Sequence, residues 1–348
     1  MHFSKIINAK ISGENDRPMM QKELYPVSNQ LQQYLADFKR DIVLPISYQE
    51  LFHYSYSNAI KDENGKYTHW ENVVYDEKYA EMLQPKILAT YQLLKNSSAK
   101  NIKITAIDFC EFANSMPFRI SIEDTGNNSS DYFYIKAADA SRIYGLELEQ
   151  LLSANNICYL YHKNTLVEDH IEGIPGDVFL KEAAAFPTDQ KKLLATAFVT
   201  FNEECFTRLL GDMRSYNFVV VKTVDEQNPF KIKAIDFDQQ CYEGKLNLYW
   251  PQYYKENYEY VQMANQFLGE ERIESICLLA RKKTANCRDQ LLNQLNNLLQ
   301  AMATEELSEN YKVVSLRKEL NHYFKTKQFS SCKTMGALLQ QQLKQVLQ

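Results

Sequence analysis

The stretch from residue 101 to residue 174 constrains the fold most, because strand-like and helix-like segments alternate in it at short spacing. NIKITAIDFCEF, PFRISIED and DYFYIKAA are rich in Ile, Thr, Phe and Tyr, which is typical of strands. The helix-like SRIYGLELEQLLSAN comes next, and two more strand-like runs, ICYLYHKN and TLVEDHIEGI, follow it. Short connections between the first three strands predict an antiparallel meander. We therefore expect a β-β-β-α-β-β unit here.

The segment before residue 101 is predicted to be mainly helical. Residues 21–39 and 75–94 carry apolar side chains at spacings of three and four, the pattern of an amphipathic helix. Between them, Asn64-Gly65 marks a turn, which is typical of a small hairpin or a loop. We expect residues 1–100 to form a helical N-terminal extension.

The C-terminal half predicts a second, larger helical body. After Pro175-Gly176, residues 188–210 form a long apolar-periodic segment, and residues 254–348 are Leu- and Gln-rich with helical character. FVVV and KIKAIDFD are strand-like runs between these segments. The expected fold class is α+β, with a small sheet lobe over residues 101–174 and a helical large lobe over residues 175–348.

Composition favours a packed protein of a reducing compartment. Hydrophobic residues make up 45% and charged residues 24% of the 348, which excludes wholesale disorder. No apolar run approaches the roughly 20 residues of a membrane-spanning helix, and MHFSKIINAKISGEN lacks the apolar core of a secretory signal peptide. The seven cysteines occur singly, without a CxxC pair, so no structural zinc site or disulfide framework is expected. We expect a cytoplasmic protein, and export by a specialised secretion system would leave no cleaved signal.

The formal net charge of −5 is unevenly distributed along the chain. Residues 312–348 contain seven basic residues and one acid and so carry +6, which leaves −11 on the other 311 residues. Such asymmetry is found in anion-binding surfaces and also in ordinary solvated helix faces. Because the protein is acidic overall and carries no zinc-finger, RNP or helix-turn-helix signature, a nucleic-acid partner is not expected.

Lys136 and Glu147 are candidate parts of a phosphate site. Transfer of phosphate from ATP needs a lysine on the α- and β-phosphates, an acid that orients it, one or two divalent ions and a carboxylate near the attacking hydroxyl. Lys136 ends an apolar strand-like run, where a stranded ammonium would need a partner. Glu147 borders the apolar face of the following helix and could supply that partner. Glu149 is the alternative acid.

Asp212, Arg214 and Asn217 lie in a short polar loop between a helix-like and a Val-rich segment. Gly, Asp, Ser and Asn are ordinary turn residues, so the loop could be no more than a turn. Its side chains also suit catalysis, with Asp212 accepting the substrate hydroxyl proton and Asn217 offering an oxygen to a metal. Arg214 could offset the charge of the γ-phosphate.

Asp236 follows the strand-like run KIKAI and is the second candidate metal ligand. Mg²⁺ prefers a few hard oxygen atoms together with phosphate, and a carboxylate at a strand end beside Asn217 would supply one. Asp238 is either a further ligand or an ordinary loop acid.

Taken in this order, the segments resemble those of the protein kinase-like superfamily over about residues 101 to 260. YIKAA is similar to the strand with the nucleotide-binding lysine, GDMRSYNFVV to the catalytic loop, and AIDFDQ to the metal-binding segment. The resemblance implies a two-lobed kinase with ATP in its cleft. The roles that it implies are Lys136 on phosphate, Glu147 as its ion-pair partner, Asp212 as the base, Asn217 and Asp236 on Mg²⁺ or Mn²⁺, and an adenine-binding hinge at Asp169, His170, Ile171 and Glu172.

Several segments depart from the common pattern of that family. The Gly-rich loop is missing, and Phe112-Ala113-Asn114-Ser115-Met116 occupies its place. IDFD stands where protein kinases carry DFG, as in aminoglycoside-type kinases, and no APE segment follows. The backbone of Ala113, Asn114 and Ser115 is the expected phosphate-binding substitute, although it approaches phosphate less freely than glycine.

This mixture is similar to the atypical kinase effectors that intracellular bacteria deliver into host cells. That resemblance implies a host protein substrate, with Ser or Thr favoured over Tyr as the acceptor, and an anionic activator such as an inositol polyphosphate. Basic side chains in the C-terminal region are the candidate anion site: Arg281, Lys282, Lys283, Arg288, Arg317, Lys318, Lys325 and Lys327.

Three other functions are compatible with the sequence. An aminoglycoside- or choline-type phosphotransferase would share the same phosphate and metal residues. A pseudokinase would bind nucleotide without transferring phosphate, which the missing glycines favour and the retained Lys136, Asp212, Asn217 and Asp236 oppose. The aromatic and basic segment NHYFKTKQFSSCK would also suit docking to an anionic lipid surface.

Overall fold

The computed structural model describes residues 22–225 and 227–348. Within these residues the chain divides into two compact units. The sheet unit comprises residues 22–140 and 156–170, and the helical unit comprises residues 141–155 and 171–348. Residues 1–21 lie outside the described part. Of the helix predicted over residues 21–39, only residues 29–37 are helical, and residues 22–28 are not.

The sheet unit is built on a seven-stranded antiparallel sheet with strand order β1-β2-β3-β4-β5-β7-β6. Two helices, α1 and α2, belong to the same unit. The elements are α1 (Asn29–Asp37), β1 (Tyr56–Lys61), β2 (Tyr67–Val74), α2 (Glu77–Lys95), β3 (Ile102–Phe109), β4 (Phe118–Asp124), β5 (Ser129–Ala137), β6 (Tyr159–His162) and β7 (Thr165–Asp169).

The core of this unit forms between the sheet and α2. Alternate residues of β4, Phe118, Ile120 and Ile122, are buried and join one cluster with Leu83 and Ile87 of α2. This period-two burial is what a sheet covered by a helix on one face requires. The five strands predicted over residues 101–174 are confirmed, since β3 to β7 fall on the segments named from the sequence.

The prediction that residues 1–100 form a helical extension is wrong for residues 56–74. These residues form the β1–β2 hairpin, and β2 pairs with β3 through Glu71↔Phe109 and Asn72↔Asp108. The turn predicted at Asn64-Gly65 is confirmed, and Gly65 adopts the positive φ of 77° that glycine accommodates without strain. The hairpin pairs with β3, which would otherwise be an open edge, so residues 56–74 belong to the same sheet as the strands that follow.

The helical unit holds eight of the ten α-helices that lie within the described ranges, and a short antiparallel sheet of order β10-β9-β8. Its elements are α3 (Ala140–Leu152, from Ser141 onward), β8 (Ile174–Pro175), α4 (Gly176–Ala183), α5 (Thr188–Arg208), β9 (Phe218–Lys222), β10 (Phe230–Ala234), α6 (Tyr258–Phe267), α7 (Glu270–Gln290), α8 (Leu292–Ala303), α9 (Asn310–Tyr323) and α10 (Met335–Val346). The helices predicted over residues 188–210 and in the last hundred residues are confirmed.

Helix α3 belongs to the helical unit, whereas the sequence placed it in the lobe of residues 101–174. Glu149 of α3 forms a buried ion pair with Arg208 of α5, and Gln294 of α8 donates to Glu147. A buried charge needs an opposite charge beside it, so Glu149 and Arg208 hold α3 on α5, and the bond from Gln294 joins α3 to α8. The predicted boundary at residue 174 is therefore replaced by chain crossings at residues 140/141, 155/156 and 170/171.

Helix α5 is the centre of the helical unit. Its Ala195 and Val199 pack with Ala264 of α6 and with Ile273 and Ile276 of α7. None of the helices in the described part of the chain is long and apolar enough to cross a membrane. With its antiparallel sheets and its helices the protein is α+β.

Candidate functional site

The β9–β10 hairpin places Asn217 and Asp236 side by side in the helical unit. In its register Phe218 is opposite Ala234, and the amide of Ile235 donates to the carbonyl oxygen of Asn217 at 3.0 Å. Asn217 immediately precedes β9, and Asp236 lies two residues after the end of β10. Both residues are therefore at the same end of the hairpin. Two residues 19 positions apart in sequence become neighbours because antiparallel strands bring the start of one next to the end of the other.

The loop before β9 holds Asp212 in an uncommon backbone conformation. Its φ is +55°, in the left-handed region that Asp and Asn enter more readily than other non-glycine residues. The backbone amide of Asp212 donates to the hydroxyl oxygen of Tyr254 at 2.9 Å, and that hydroxyl donates to the carbonyl of Leu248 at 2.7 Å. A residue held in such a conformation by its surroundings is a feature of functional sites.

Two side chains hold the Asp212 carboxylate. Arg214 Nε donates to Oδ1 at 2.8 Å, and Asn217 Nδ2 donates to Oδ2 at 3.1 Å and to the Asp212 carbonyl at 2.8 Å. Each carboxylate oxygen has a second lone pair with which it can accept another proton donor. Since the amide nitrogen of Asn217 is engaged by Asp212, its amide oxygen is the atom suited to a metal.

Burial raises the pKa of Asp212 to about 7, because the charged form loses solvation in a residue that is only 7% exposed. The bond from Arg214 opposes this shift in pKa, and the negative charges of Asp236 and Glu243 add to it. A carboxylate with a pKa near neutrality is poised to accept a proton at physiological pH.

Arg214 is itself held on its other side. Its NH1 lies 2.6 Å from Glu256 Oε1, and its guanidinium stacks over the ring of Tyr254 with 5.0 Å to the centroid. Burial lowers the pKa of Arg214, but the hydrogen bond to Asp212 and the negative charge of Asp212 outweigh this effect. The pKa of Arg214 is therefore raised above its usual value. The guanidinium therefore stays charged beside Asp212 at any accessible pH.

Asp236 lies beside Arg142 of α3. Arg142 NH1 is 2.9 Å from Asp236 Oδ1 and 2.9 Å from Asp238 Oδ1, and NH2 donates to the carbonyl of Ile235 at 3.3 Å. Gly145 permits this approach of α3, since a Cβ there would lie 2.8 Å from that of Phe237. Asp238 is thereby buried in an ion pair, whereas the Asp236 side chain keeps 29% exposure.

The donor set of Asn217 and Asp236 fits a hard divalent cation. One carboxamide oxygen and one carboxylate are too few ligands for a closed cage but suit Mg²⁺, which keeps water and phosphate oxygens in its shell. Among the described residues no group of three or more His, Cys, Asp or Glu side chains is arranged to hold a metal. Mg²⁺ or Mn²⁺ would thus rely on oxygens from a nucleotide.

Lys136 lies in β5 of the sheet unit and is paired with an acid that the sequence analysis did not name. Its Nζ is 3.0 Å from Glu168 Oε2 of β7, and both side chains are 8% exposed. Glu168 reaches it because Tyr134 is opposite Glu168 and Lys136 opposite Leu166 in the β5–β7 register, so the two side chains are diagonal neighbours on the sheet. Only the strand pairing identifies this partner.

The two acids proposed to orient Lys136 both lie on α3, in the helical unit. Glu147 is fully buried and accepts a bond from Gln294 at 3.3 Å. The alternative acid, Glu149, pairs with Arg208 and accepts from Ser153 and Asn155, whereas the acid found beside Lys136 is Glu168. The pairing of Glu147 with Lys136 stays a prediction.

The candidate nucleotide-binding backbone segments fall in loops. Ala113, Asn114 and Ser115 lie in the turn between β3 and β4, where Asn114 Oδ1 accepts from the backbone amide of Lys22 at 3.1 Å. Asp169 ends β7 and its carboxylate lies 2.6 Å from Lys95 Nζ, while His170 Nδ1 meets Tyr134 Oη at 3.2 Å. Ile171 and Glu172 begin the helical unit, so the chain passes between units where a hinge was predicted.

Three of the eight predicted anion-binding side chains already have protein partners. Arg281 is 2.7 Å from Glu203, Arg288 bonds Asp289 and the Leu347 carbonyl, and Arg317 donates to the Cys332 carbonyl at 3.1 Å. The anion site stays a prediction. The remaining candidates, the exposed lysines Lys282, Lys283, Lys318, Lys325 and Lys327, lie on α7, on α9 and in the turn after α9.

Comparison with known protein-family models finds no match, and neither does comparison with curated protein sequences.

Proposed function

We propose that this chain is an ATP-dependent phosphotransferase, an atypical protein kinase that transfers the γ-phosphate to a protein hydroxyl, preferably of Ser or Thr. The observation that carries the proposal is the arrangement of Asp212, Asn217 and Asp236 at one end of the β9–β10 hairpin. A carboxylate that can take a proton, a carboxamide and a second carboxylate are the groups that phosphoryl transfer requires.

In this proposal Asp212 is the base. Its carboxylate accepts the proton of the acceptor hydroxyl while the hydroxyl oxygen bonds to the γ-phosphorus and the bond to the bridging oxygen of ADP breaks. The pKa of about 7 keeps a substantial deprotonated fraction at neutral pH. Arg214 and Asn217 hold the carboxylate in one orientation, so less ordering is left for the reaction itself.

Asn217 and Asp236 would hold Mg²⁺ or Mn²⁺, which when bound supplies charge stabilisation to the transferring phosphate. Lys136 is proposed to bind the α- and β-phosphates, with Glu168 as its positioning partner in the sheet. Ala113, Asn114 and Ser115 would offer backbone amides to phosphate, and the backbone of residues 169–172 would take the adenine.

An inositol polyphosphate activator is proposed for the exposed lysines Lys318, Lys325 and Lys327, and action on a host protein as a bacterial effector is part of the same proposal.

The test is transfer of radiolabelled phosphate from ATP by the full chain and by Asp212→Asn, Asn217→Ala and Asp236→Asn. Reactions contain Mg²⁺ or Mn²⁺, with and without host-cell extract or inositol hexakisphosphate. The matched control is Asp225→Asn in the exposed loop of the same hairpin. Labelling of protein that is lost in the first three variants and kept in the control supports the proposal. Equal labelling by the wild type and by Asp236→Asn would contradict the proposal.

A further inference from the structure

A cavity in the helical unit, called the α5 cavity from here on, is lined by none of the residues of the phosphotransfer proposal. Its volume is about 540 Å³, within the roughly 300–1,000 Å³ of small-molecule sites. Four parts of the unit form its walls: the end of α3 with residues 153–155 after it, the middle of α5, the β9–β10 hairpin and the C-terminal half of α7.

Much of the wall is apolar. Leu152, Leu193, Ala197, Phe201, Phe230 and Ile232 line the cavity. Such a lining favours the burial of a hydrocarbon or aromatic body over that of a polyphosphate, which would have to give up its water to apolar surface.

Asn155 contributes a buried acceptor that lacks a partner. The residue is 8% exposed and lines the cavity, and its Nδ2 donates to Glu149. Its Oδ1 is buried and has no hydrogen-bond partner among the described residues. A buried carbonyl oxygen without a donor is costly. Because burial also closes this atom off from the cavity, the Asn155 side chain must rotate before a ligand N–H or O–H can bond to it.

Two lysines and two acids supply the charge of the wall. Lys231 of β10 and Lys283 of α7 line the cavity together with Glu204 of α5 and Asp225 of the β9–β10 loop. Desolvation lowers the pKa of Lys231, and the neighbouring charges of Lys233 and Lys283 lower it further. Desolvation also raises the pKa of Glu204 to about 7. When Glu204 is protonated, the two lysines and Asp225 leave the wall with one net positive charge, which a ligand with a single negative charge would neutralise.

We propose that this cavity binds a small amphipathic acid, a molecule with an apolar ring or chain, one negatively charged group and one hydrogen-bond donor. The negative group meets Lys231 and Lys283, the donor meets Asn155 Oδ1, and the apolar body lies against Phe201, Phe230 and the adjoining aliphatic wall. The site is independent of the proposed kinase reaction.

The probe is 8-anilinonaphthalene-1-sulfonate, which combines aromatic rings, one sulfonate and one N–H and becomes fluorescent when shielded from water. Titration of the full chain should show a saturable site with one probe bound per chain. Ala197→Phe, which fills the cavity from α5, should weaken binding at least tenfold, and so should the double variant Lys231→Met/Lys283→Met, since the loss of two charge-assisted contacts exceeds about tenfold in affinity. Circular dichroism and thermal melts establish that each variant is folded.

Two controls make the outcome decisive. Arg272→Met removes an exposed charge from α7 without touching the cavity lining, and its affinity should equal that of the wild type. The uncharged analogue N-phenyl-1-naphthylamine should bind the wild type more weakly than the sulfonate and should not distinguish the wild type from the double lysine variant.

Should Ala197→Phe fail to fold, Thr196→Phe fills the same wall. Unchanged affinity in the folded filled and double lysine variants, or equal affinity of the neutral analogue, would overturn the assignment.

Discussion

The side-chain amide of Asn217 donates to both the backbone carbonyl and the carboxylate of Asp212, at 2.8 and 3.1 Å. Two residues five positions apart are thereby locked into one unit, and the Asn217 carboxamide can use only its oxygen for another partner. The loop thus has more internal order than a simple turn requires. The relationship links the proposed base to the proposed metal ligand.

Removing the Asn217 side-chain amide should impair both the orientation of the base Asp212 and the binding of the metal. We expect Asn217→Ala to reduce phosphate transfer by about 10²-fold or more, since the base loses its orientation and the metal loses a ligand. The Mg²⁺ concentration needed for half-maximal activity should rise. Asn228→Ala, in the exposed hairpin loop where Asn228 bonds only to local groups, is the matched control. Transfer at the wild-type rate by Asn217→Ala would exclude a role for this residue.

Stability should depend on pH through Asp212. Its folded pKa of about 7 lies above the ordinary value of 3.8, so between these values the folded state binds more protons than the unfolded state. The free energy of unfolding therefore falls as pH rises from about 4 to about 7. Asp212→Asn lacks this slope and keeps a residue type that tolerates φ of +55°.

The measurement is urea unfolding of wild type and Asp212→Asn at pH 5 and pH 8 without nucleotide. Relative to wild type, Asp212→Asn should gain roughly 1–3 kcal/mol between the two pH values, because one pKa unit corresponds to about 1.4 kcal/mol. Asp225→Asn, at an exposed site, should follow the wild type. Parallel pH profiles for wild type and Asp212→Asn would show that this carboxyl has an ordinary pKa.

Arg142 should be required for stability because its guanidinium serves two carboxylates. Arg142→Met removes the cation from Asp236 and from the buried Asp238, and we expect a loss of about 3–5 kcal/mol in the free energy of unfolding. Mg²⁺ should restore part of this loss in the variant, since a cation at Asp236 replaces some of the missing charge. Arg272→Met, at an exposed position of α7, should change the unfolding free energy little, and an Arg142→Met protein as stable as this control would contradict the expectation.

Nucleotide binding and transfer should be separable. At 100 times its Kd, Mg-ATP should stabilise the wild type by about 2.7 kcal/mol in a thermal-shift experiment. Lys136→Met and Asp236→Asn should lose this stabilisation, whereas Asp212→Asn should keep it without transferring phosphate. Wild-type protein that is stabilised but transfers nothing, with or without extract, would instead indicate a pseudokinase. Lys103→Met, a half-exposed lysine of β3, is the control for the lysine substitution.

Binding of the probe in the α5 cavity should strengthen below neutral pH. Glu204 faces Lys231 from β10 and Lys283 and Cys287 from α7, with Cys205 beside it on α5. Its raised pKa of about 7 means that the carboxyl is mostly neutral at pH 6 and mostly ionised at pH 8.

Affinity for 8-anilinonaphthalene-1-sulfonate should therefore fall several-fold from pH 6 to pH 8, with the larger part of the change near pH 7. In Glu204→Gln the affinity should be independent of pH over this range and close to that of wild type at pH 6. A pH dependence that persists in Glu204→Gln would assign the effect to another group.

Local patterns in the sequence determined most of the secondary structure. The alternation in PFRISIED and DYFYIKAA and the apolar spacing of residues 188–210 required only short-range preferences, and β4, β5 and α5 fall on those segments. The order of Lys136, Asp212, Asn217 and Asp236 along the chain was likewise sufficient to propose a phosphate chemistry. The hairpin of residues 56–74 was only half foreseen, since a turn signal does not reveal which strand the hairpin will join.

Only the tertiary structure decided the partners of these residues. Glu168 beside Lys136, Arg142 beside Asp236, Glu256 beside Arg214, and the engagement of Glu149 with Arg208 join positions from 32 to 94 residues apart. The α5 cavity likewise brings together Glu204 of α5, Lys231 of β10, Lys283 of α7 and Asn155 from the loop after α3. Periodicity states which face of an element is buried but not what covers it. Charge pairing depends on atoms a few ångströms apart, and packing brings those atoms together only when the whole unit has folded.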